Sequence, residues 1–438
     1  MKTLVLILIL TVSLAYTQTF PLVISTNGRY FQGSDGLPFL MKAECMWSLL
    51  SQCKYDSADV YLLDRQGRGI NTVEASLPTK FTTAGSYIDV NGNSPFTSTF
   101  FTTPRTAYFT HADSIIDRAT ALGFVVMLDV LYAGWDNAQG LIDELTAAST
   151  SDLKSWGAYI GDRYKSYKNI VFVLNGDRDP TASAAKVDSL VAGIQSADTL
   201  TGRLFTTHNN RGVKASTYWN TRSWFNMNNS YSAFSDAYTQ ALSAYNDTIV
   251  RPTIPIEMYF ENEHSMTTTN LRTQGYWTIL AGACGHVFGN APLWAMGFNT
   301  GSGSNWHAQL TSPGSLSMQY LNAFFTSRNW HKFIPDQISA VLLAGASSGT
   351  DLAVCSSTSD SSLLVVYMPS NRQITVKTNY VKSANDLVRC SWFDPATGSI
   401  TIIGTYSRSS SQAFTPSGSQ DWVFLAEAAS TRYFPGRR

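Results

Sequence analysis

Short apolar runs and amphipathic stretches alternate along most of the chain, and that alternation is the first thing that constrains the fold. Runs rich in β-branched and aromatic residues predict strands at Phe39 to Ala43, Ile70 to Leu77, Phe124 to Tyr132, Ile170 to Leu174, Leu204 to His208, Trp224 to Asn228, Thr253 to Tyr259 and His286 to Gly289. Between them the apolar residues return every three or four positions. Tyr108 to Leu122 is the clearest case, with Ile115, Ile116, Ala119 and Leu122 on one face and Gly123 as the stop. Leu153 to Tyr167, Ala184 to Ala197, Ala233 to Tyr245, Leu271 to Gly282 and Met318 to Thr326 read as helices of the same kind. Eight strands, each followed by a helix or a loop, predict an α/β fold of the (β/α)8 TIM-barrel class, with its active site at the C-terminal ends of the strands. A doubly wound open sheet is the alternative. It would need a Gly-rich phosphate loop after a strand, and none is present.

The texture changes around Pro335-Asp336-Gln337. Beyond it, Leu363 to Met368, Gln373 to Lys377, Val388 to Phe393 and Trp422 to Leu425 are short strands separated by Ser, Asn, Gly and Pro turns, the signature of a small all-β sandwich. Before the barrel, Gly28 to Phe31 and Gly36 to Phe39 predict a small hairpin lid turning at Ser34-Asp35-Gly36. The start of the chain reads as a secretory signal: Met1-Lys2, an apolar run from Leu4 to Leu14, and small residues at Ser13 and Ala15 for cleavage. The expected organisation is a signal peptide at 1–15, a catalytic barrel at 16–337, a sandwich at 338–428 and a frayed tail at 429–438, in an exported monomer with no membrane span.

Charge narrows the partners. Lys plus Arg and Asp plus Glu balance at 31 each and make up only 14% of the chain, so no polyanion such as nucleic acid is called for. Eleven Trp and 21 Tyr suit stacking on sugar rings, and suit an aromatic core equally well. Five cysteines in an exported chain predict a Cys355 to Cys390 disulfide, with Cys45 and Cys53 as a weaker second pair and Cys284 as a small buried hydrophobe. No Cys/His spacing suits a metal, and no cofactor is implied.

The chemistry gathers where the strands end. Asn169-Ile-Val-Phe-Val-Leu-Asn-Gly-Asp177 is a buried strand closing on a carboxylate, and Thr253-Ile-Pro-Ile-Glu257 repeats the pattern. Two carboxylates facing one cleft are what glycosidic bond hydrolysis requires. Taken alone, Asp177 caps a helix and Glu257 is a satisfied core acid as readily as either is catalytic. The other predicted tips supply Glu44 and Trp47, Glu74, Asp129, Asn175, His208, Asn226 and Asn228, Tyr259 and Glu261, and Trp294 as residues for substrate binding. Asp129, behind Val-Met-Leu, reads instead as an acid hydrogen-bonded inside the barrel. Asn228-Asn-Ser230 and Asn246-Asp-Thr248 match the N-glycosylation pattern, and an Asn228 turned into the cleft could carry no glycan.

A resemblance enters on longer motifs. Phe31 to Trp47, Tyr61-Leu-Leu-Asp-Arg65 with Gly69-Ile-Asn-Thr72, Trp156 to Tyr164, Asn169 to Asp177, Trp224-Phe-Asn-Met227, Pro255-Ile-Glu257 with Tyr259-Phe-Glu261, Trp306 to Met318 and Pro335-Asp-Gln337 resemble the apiosidase-like glycoside hydrolases of family 140 and relatives. Trp392-Phe-Asp-Pro395, Gly398 and Asp421-Trp422 resemble the collagen-binding-like sandwich that follows that barrel. The resemblance implies a secreted glycosidase acting on a plant-type or microbial polysaccharide, with Asp177 as acid/base and Glu257 as nucleophile in a retaining mechanism, and Asn175 beside the substrate 2-hydroxyl. Where relatives have Gly-Asp-Thr-Ala-Trp and Gly-Gly-Asp, this chain has Ala43-Glu-Cys-Met-Trp47 and Asn175-Gly-Asp177, so the sugar is left open. The rival readings are a catalytically silent carbohydrate-binding, surface or virion protein on the same fold, and a matrix-protein binder acting through the sandwich.

Overall fold

The computed structural model describes residues 19–80, 86–181, 183–296 and 306–429. The expected signal at 1–15, and the tail apart from Ala429, lie outside the described residues. Three short strands, β1 (Val23–Ile24), β2 (Phe31–Gln32) and β3 (Pro38–Phe39), make an antiparallel sheet. It is not a lid over the cleft. Gly28 packs on Val250, and Arg29 reaches the Tyr245 carbonyl at the end of the helix Ala237–Tyr245, so the hairpin closes the end where the central strands begin.

Those central strands are β4 (Met41–Cys45), β5 (Thr72–Ser76), β6 (Val125–Asp129), β7 (Ile170–Leu174), β8 (Phe205–Thr207), β9 (Asn228–Tyr231), β10 (Thr253–Glu257) and β11 (Gly285–Phe288). Six form one curled parallel sheet in the order β11-β4-β5-β6-β7-β8, and β9 and β10 form a separate parallel pair. Backbone bonds span the two gaps: Met227 N to the Phe205 carbonyl at 3.3 Å on one side, and on the other Cys284 N to the Thr253 carbonyl at 2.8 Å, followed by a parallel bridge between Glu261 and Asn290. The arrangement is TIM-like.

Strand parity sorts the core. Val126 and Leu128, with Ile170, Phe172 and Leu174, face outward into a cluster with the surrounding helices. Val125, Met127, Val171 and Val173 face inward beside Met41, Ala43 and Cys45. The helices lie close to their expected places: Thr106–Ala121, Thr150–Tyr164, Ala184–Ala197, Ala237–Tyr245, Thr268–Leu280 and Pro313–Thr326. Ser149 and Asp152 close a reciprocal capping box that starts the second of these three residues before the expected Leu153. The helix Tyr55–Gly67 has no clear signal in the sequence, because it buries Arg65 while exposing Val60 and Leu63, which breaks the apolar periodicity.

The sixth strand begins where its prediction ends. The apolar Trp224 and Phe225 pack into the outer cluster as a loop, and pairing starts only at Asn228, opposite Thr253.

The C-terminal region is all antiparallel: β12 (Phe333–Pro335), β13 (Leu342–Ala344), β14 (Val354–Thr358), β15 (Leu363–Met368), β16 (Ile374–Val376), β17 (Leu387–Phe393), β18 (Ile400–Ser407), β19 (Gln412–Phe414) and β20 (Trp422–Ala428). A six-stranded sheet, β12-β14-β15-β20-β17-β18, faces a three-stranded one, β13-β16-β19. Its order rules out the expected disulfide. Cys355 on β14 and Cys390 on β17 are separated by β15 and β20, roughly 14 Å across three strand spacings, where a disulfide needs its Cα atoms within about 7 Å. All five cysteines are free and buried. Cys45 faces the inner cluster and Cys53 the outer one, which also separates the second pair.

The two regions share the helix Thr268–Leu280, whose residues from Leu271 to Leu280 are all buried. Arg272 makes a two-pronged ion pair with Asp421, at 2.6 and 2.9 Å, and Tyr276 stacks on Tyr367 with ring centroids 4.6 Å apart.

Candidate active site

A cleft of about 660 Å³ opens at the C-terminal ends of the central strands. Its walls come from Trp47 after β4, Tyr132 and Trp135 after β6, Asp177 after β7, Asn210 and Arg211 after β8, Tyr231 closing β9, Glu257 closing β10, and Phe260, Glu263, His264 and Trp294 beyond.

Local backbone chemistry sets the two carboxylates. At the tip of β7 both Asn175 (φ 60°) and Asp177 (φ 52°) adopt the left-handed conformation around Gly176. Gly176 N donates to the Leu131 carbonyl at 3.2 Å, and its own carbonyl accepts from Gly134 N at 2.9 Å, so the turn is fastened to the loop after β6. At the tip of β10 the register with β9 slips between Pro255 and Glu257. That bulge sets Glu257 opposite Tyr231, whose hydroxyl donates to Glu257 Oε1 at 3.2 Å. The other carboxylate oxygen lies 3.2 Å from His208 Nε2. Tyr132 donates to Asp177 Oδ2 at 3.5 Å.

Burial raises Asp177 to about 7, reinforced by the negative charge of Glu257 and opposed by His208, Arg211 and the Tyr132 hydroxyl. Burial also raises Glu257, to about 8, against the Tyr231 hydrogen bond, with Glu263 adding to the rise and Arg211 opposing it. Two carboxyls so coupled hold one proton between them near neutral pH. Trp47 stacks on His208 at 5.4 Å and tilts against Tyr132 at 5.7 Å, while Trp135 is 65% exposed at the mouth. Arg211 lies over Tyr259 and Tyr231, and Trp294 donates to Glu263 at 3.0 Å.

Of the predicted residues, Asp177, Glu257, Trp47 and Trp294 line the cleft. His208 and Glu74 lie directly beneath it, fully buried. Tyr259 stands behind the rim, stacked on His264 at 3.9 Å. Asp129 is buried and its Oδ1 accepts from Leu131 N at 2.9 Å. The remaining five belong elsewhere. Glu44 points outward, away from the cleft, into a buried bidentate pair with Arg65 (2.6 and 3.0 Å) that Tyr61 also joins. Asn175 braces its own turn through the Arg178 carbonyl and the Ser183 hydroxyl. Asn226 ties the start of β8 through Phe205 N and the Arg203 carbonyl, at the opposite end of the strands. Asn228, at the first position of β9, faces Ala244 and Asp247 instead of the cleft. Glu261 anchors the Pro313–Thr326 helix, accepting from Gly314 N at 2.8 Å and from Ser312 at 2.5 Å.

Sequence reasoning passed over Tyr132, Trp135, Arg211, Tyr231, Glu263 and His264. Most sit in loops, where no periodicity singles out a residue. Tyr231 alone carries a signal, as the aromatic that ends a strand of Asn and Ser. Among the described residues, no group of three or more His, Cys, Asp or Glu side chains is placed to hold a metal ion.

A TIM-like sheet with two coupled carboxyls and aromatic walls at its C-terminal mouth defines a glycoside hydrolase. The comparisons agree. The family described as "Apiosidase-like, catalytic domain" matches residues 25–332, and the chain belongs to it; it is a glycosidase. Residues 334–427 match the "Putative collagen-binding domain of a collagenase". A solved structure titled "Glycoside hydrolase" superposes with a TM-score of 0.82 at 20% identity, covering 93% of this chain and 97% of the other. A glycoside hydrolase of family 5 from Bacteroides vulgatus gives 0.83 at 21%, covering 93% of each. No curated protein matches.

Proposed function

We propose that the chain is a retaining glycosidase in which Asp177 is the general acid/base and Glu257 the nucleophile. The observation that carries this reading is the placement of the two carboxyls at one mouth, each raised by burial and Asp177 raised further by Glu257. Burial raises Glu257 the higher of the two, but its contacts suit it to bear the charge once substrate is bound: the Tyr231 hydroxyl and His208 face its two oxygens at 3.2 Å each, against a Tyr132 contact at 3.5 Å for Asp177. Asp177 then keeps the shared proton and delivers it to the leaving oxygen as Glu257 attacks the anomeric carbon. In the second step Asp177 takes a proton from water, which releases the sugar. Attack of this kind goes with a carboxyl separation of roughly 5 to 5.5 Å, whereas about 6.5 to 9.5 Å leaves room for water and gives inversion.

The wider setting is part of the proposal. β4 to β11 act as one closed (β/α)8 barrel, with the chain divided near Gln337 and the C-terminal sandwich bracing it. The protein is exported after removal of residues 1–15 and works as a monomer. Its substrate is a neutral or weakly charged oligo- or polysaccharide of plant or microbial origin, with sugar rings laid on Trp47, Trp135 and Trp294. A panel of plant and microbial polysaccharides, screened for released sugar, identifies the substrate. Proton NMR of the first-formed product then reads its anomer: the retained configuration is expected, and an inverted one would recast Glu257 as the base that activates water.

A further inference from the structure

Beneath the catalytic pair lies a group of polar side chains that the chemistry above leaves without a task. Glu74 on β5, Asp129 on β6 and His208 after β8 are each at most 1% exposed. Glu74 Oε1, Asp129 Oδ2, Ser76 Oγ and both ring nitrogens of His208 are buried without a well-formed hydrogen bond. The imidazole is clamped, with Trp47 stacked on one face at 5.4 Å and Tyr231 set edge-on at 5.1 Å. Its two nitrogens therefore have fixed neighbours: Nε2 is 3.2 Å from Glu257 Oε2, and Nδ1 is 3.9 Å from Glu74 Oε1.

Which nitrogen carries the proton decides what His208 can do for Glu257. An Nε2–H donates to the carboxylate, whereas a bare Nε2 would set a lone pair against it. The answer comes from below. Among the described residues neither Glu74 nor Asp129 has a Lys or Arg partner, and the Glu74 carboxyl accepts only a long contact from the Cys45 thiol, at 3.8 Å. Buried carboxyls without a cation are least costly as neutral acids, and a neutral acid carries a donor. At 3.9 Å the contact with Nδ1 is too long to be a hydrogen bond, but the last torsion of a glutamate is broad and soft, so rotation of the carboxyl swings a hydroxyl into range.

We propose that Glu74, as a neutral acid, donates a hydrogen bond to Nδ1 of His208 and thereby holds the imidazole with its proton on Nε2, facing the Glu257 carboxylate. Glu74 and His208 are positioning residues. This inference rests on the reading of Glu257 as the group that carries the negative charge. The electrostatics of His208 and Glu74 agree with it. Burial lowers His208 to about 4 against the charge of Asp177, and burial raises Glu74 well above its usual range, helped by Asp129 and Glu257, so both are uncharged over the same pH interval.

The test reads the tautomer directly and needs no substrate. In protein labelled with ¹⁵N-histidine, the signal that disappears in His208→Asn is assigned to His208, and its two ring shifts are followed between about pH 5 and 8. A neutral ring protonated at Nε2 throughout is expected; an imidazolium, or a ring protonated at Nδ1, overturns the proposal. Glu74→Gln keeps a donor and should keep both the tautomer and the pH profile. Glu74→Leu removes the donor. It should lose the Nε2–H preference and move the acid limb of kcat/KM to higher pH by about one unit, the size of one hydrogen bond to a charged group. A limb that stays in place overturns the proposal, because loss of mere packing would not move it. If Glu74→Leu does not fold, the wild-type tautomer decides alone. An inverted product anomer would defeat the nucleophile assignment while leaving the tautomer result intact, so the two ideas fail separately.

Discussion

Gly176→Ala tests how the tip of β7 aims Asp177. A Cβ at residue 176 would stand 2.1 Å from Tyr132 Cδ2 and 2.4 Å from Asp129 Oδ2, where carbon atoms in contact rest about 3.5 Å apart. Something must move by about 1.4 Å. Tyr132 is held against Trp47 and buried, and Asp129 is buried and bonded to Leu131 N, so neither has free space to enter. The turn is the part that gives, and Asp177 is the next residue along it. Misplacing a catalytic group by about 1 Å costs on the order of 100-fold in rate. Overpacking of this kind costs roughly 1 to 3 kcal/mol of stability, small enough for a domain of ordinary stability to remain folded. The assay pairs kcat on the natural substrate with the urea midpoint of unfolding. A rate within threefold of wild type in a folded variant would refute the argument that this glycine is what aims the acid.

Glu257→Ala should abolish turnover of every substrate and recover part of it with azide, giving a glycosyl azide of inverted configuration. Asp177→Ala should keep activity on aryl glycosides with good leaving groups and lose it on the polysaccharide, since only the latter needs a proton from the acid. On the proposed mechanism the pair works in its singly protonated form, so kcat/KM should rise as pH rises through about 7 and fall again as it passes about 8, the values to which Asp177 and Glu257 are raised. A profile still flat at pH 9 would contradict that. Asp421→Ala leaves the Arg272 guanidinium buried without its partner, which should cost roughly 3 to 5 kcal/mol in urea unfolding; a loss below about 1 kcal/mol would mean that the pair is idle.

The parts of the site legible in the sequence are those written as an interruption of a pattern. Ile170 to Leu174 is apolar without a break and ends abruptly in Asn175, Gly176 and Asp177, so the acid could be found; Glu257 stands at the end of Thr253 to Ile256 for the same reason. Glu44 was misassigned although the strand's own parity held the correction: Met41, Ala43 and Cys45 face inward, so the residue between the last two faces out. Asn226 and Asn228 went astray because an apolar loop mimics a strand, and pairing with β10 starts only after it. The Cys355 to Cys390 pairing depended on strand order within a sheet, which no local pattern encodes. Arg211 and Trp135 are loop residues whose neighbours exist only after folding.

The helix Thr268–Leu280 has no side facing water along most of its length, and this bears on how such a chain can be recombined. A C-terminal module is often treated as cargo that can be exchanged behind a barrel. Here the arginine lies on one side of the junction and its aspartate on the other, with Tyr276 and Tyr367 stacked across the same seam. A foreign sandwich spliced on near Gln337 would meet a buried guanidinium and a tyrosine face cut for a different partner. Successful chimeras of this chain should therefore carry the helix together with the sandwich, so that the exchangeable cassette begins about seventy residues before the apparent boundary.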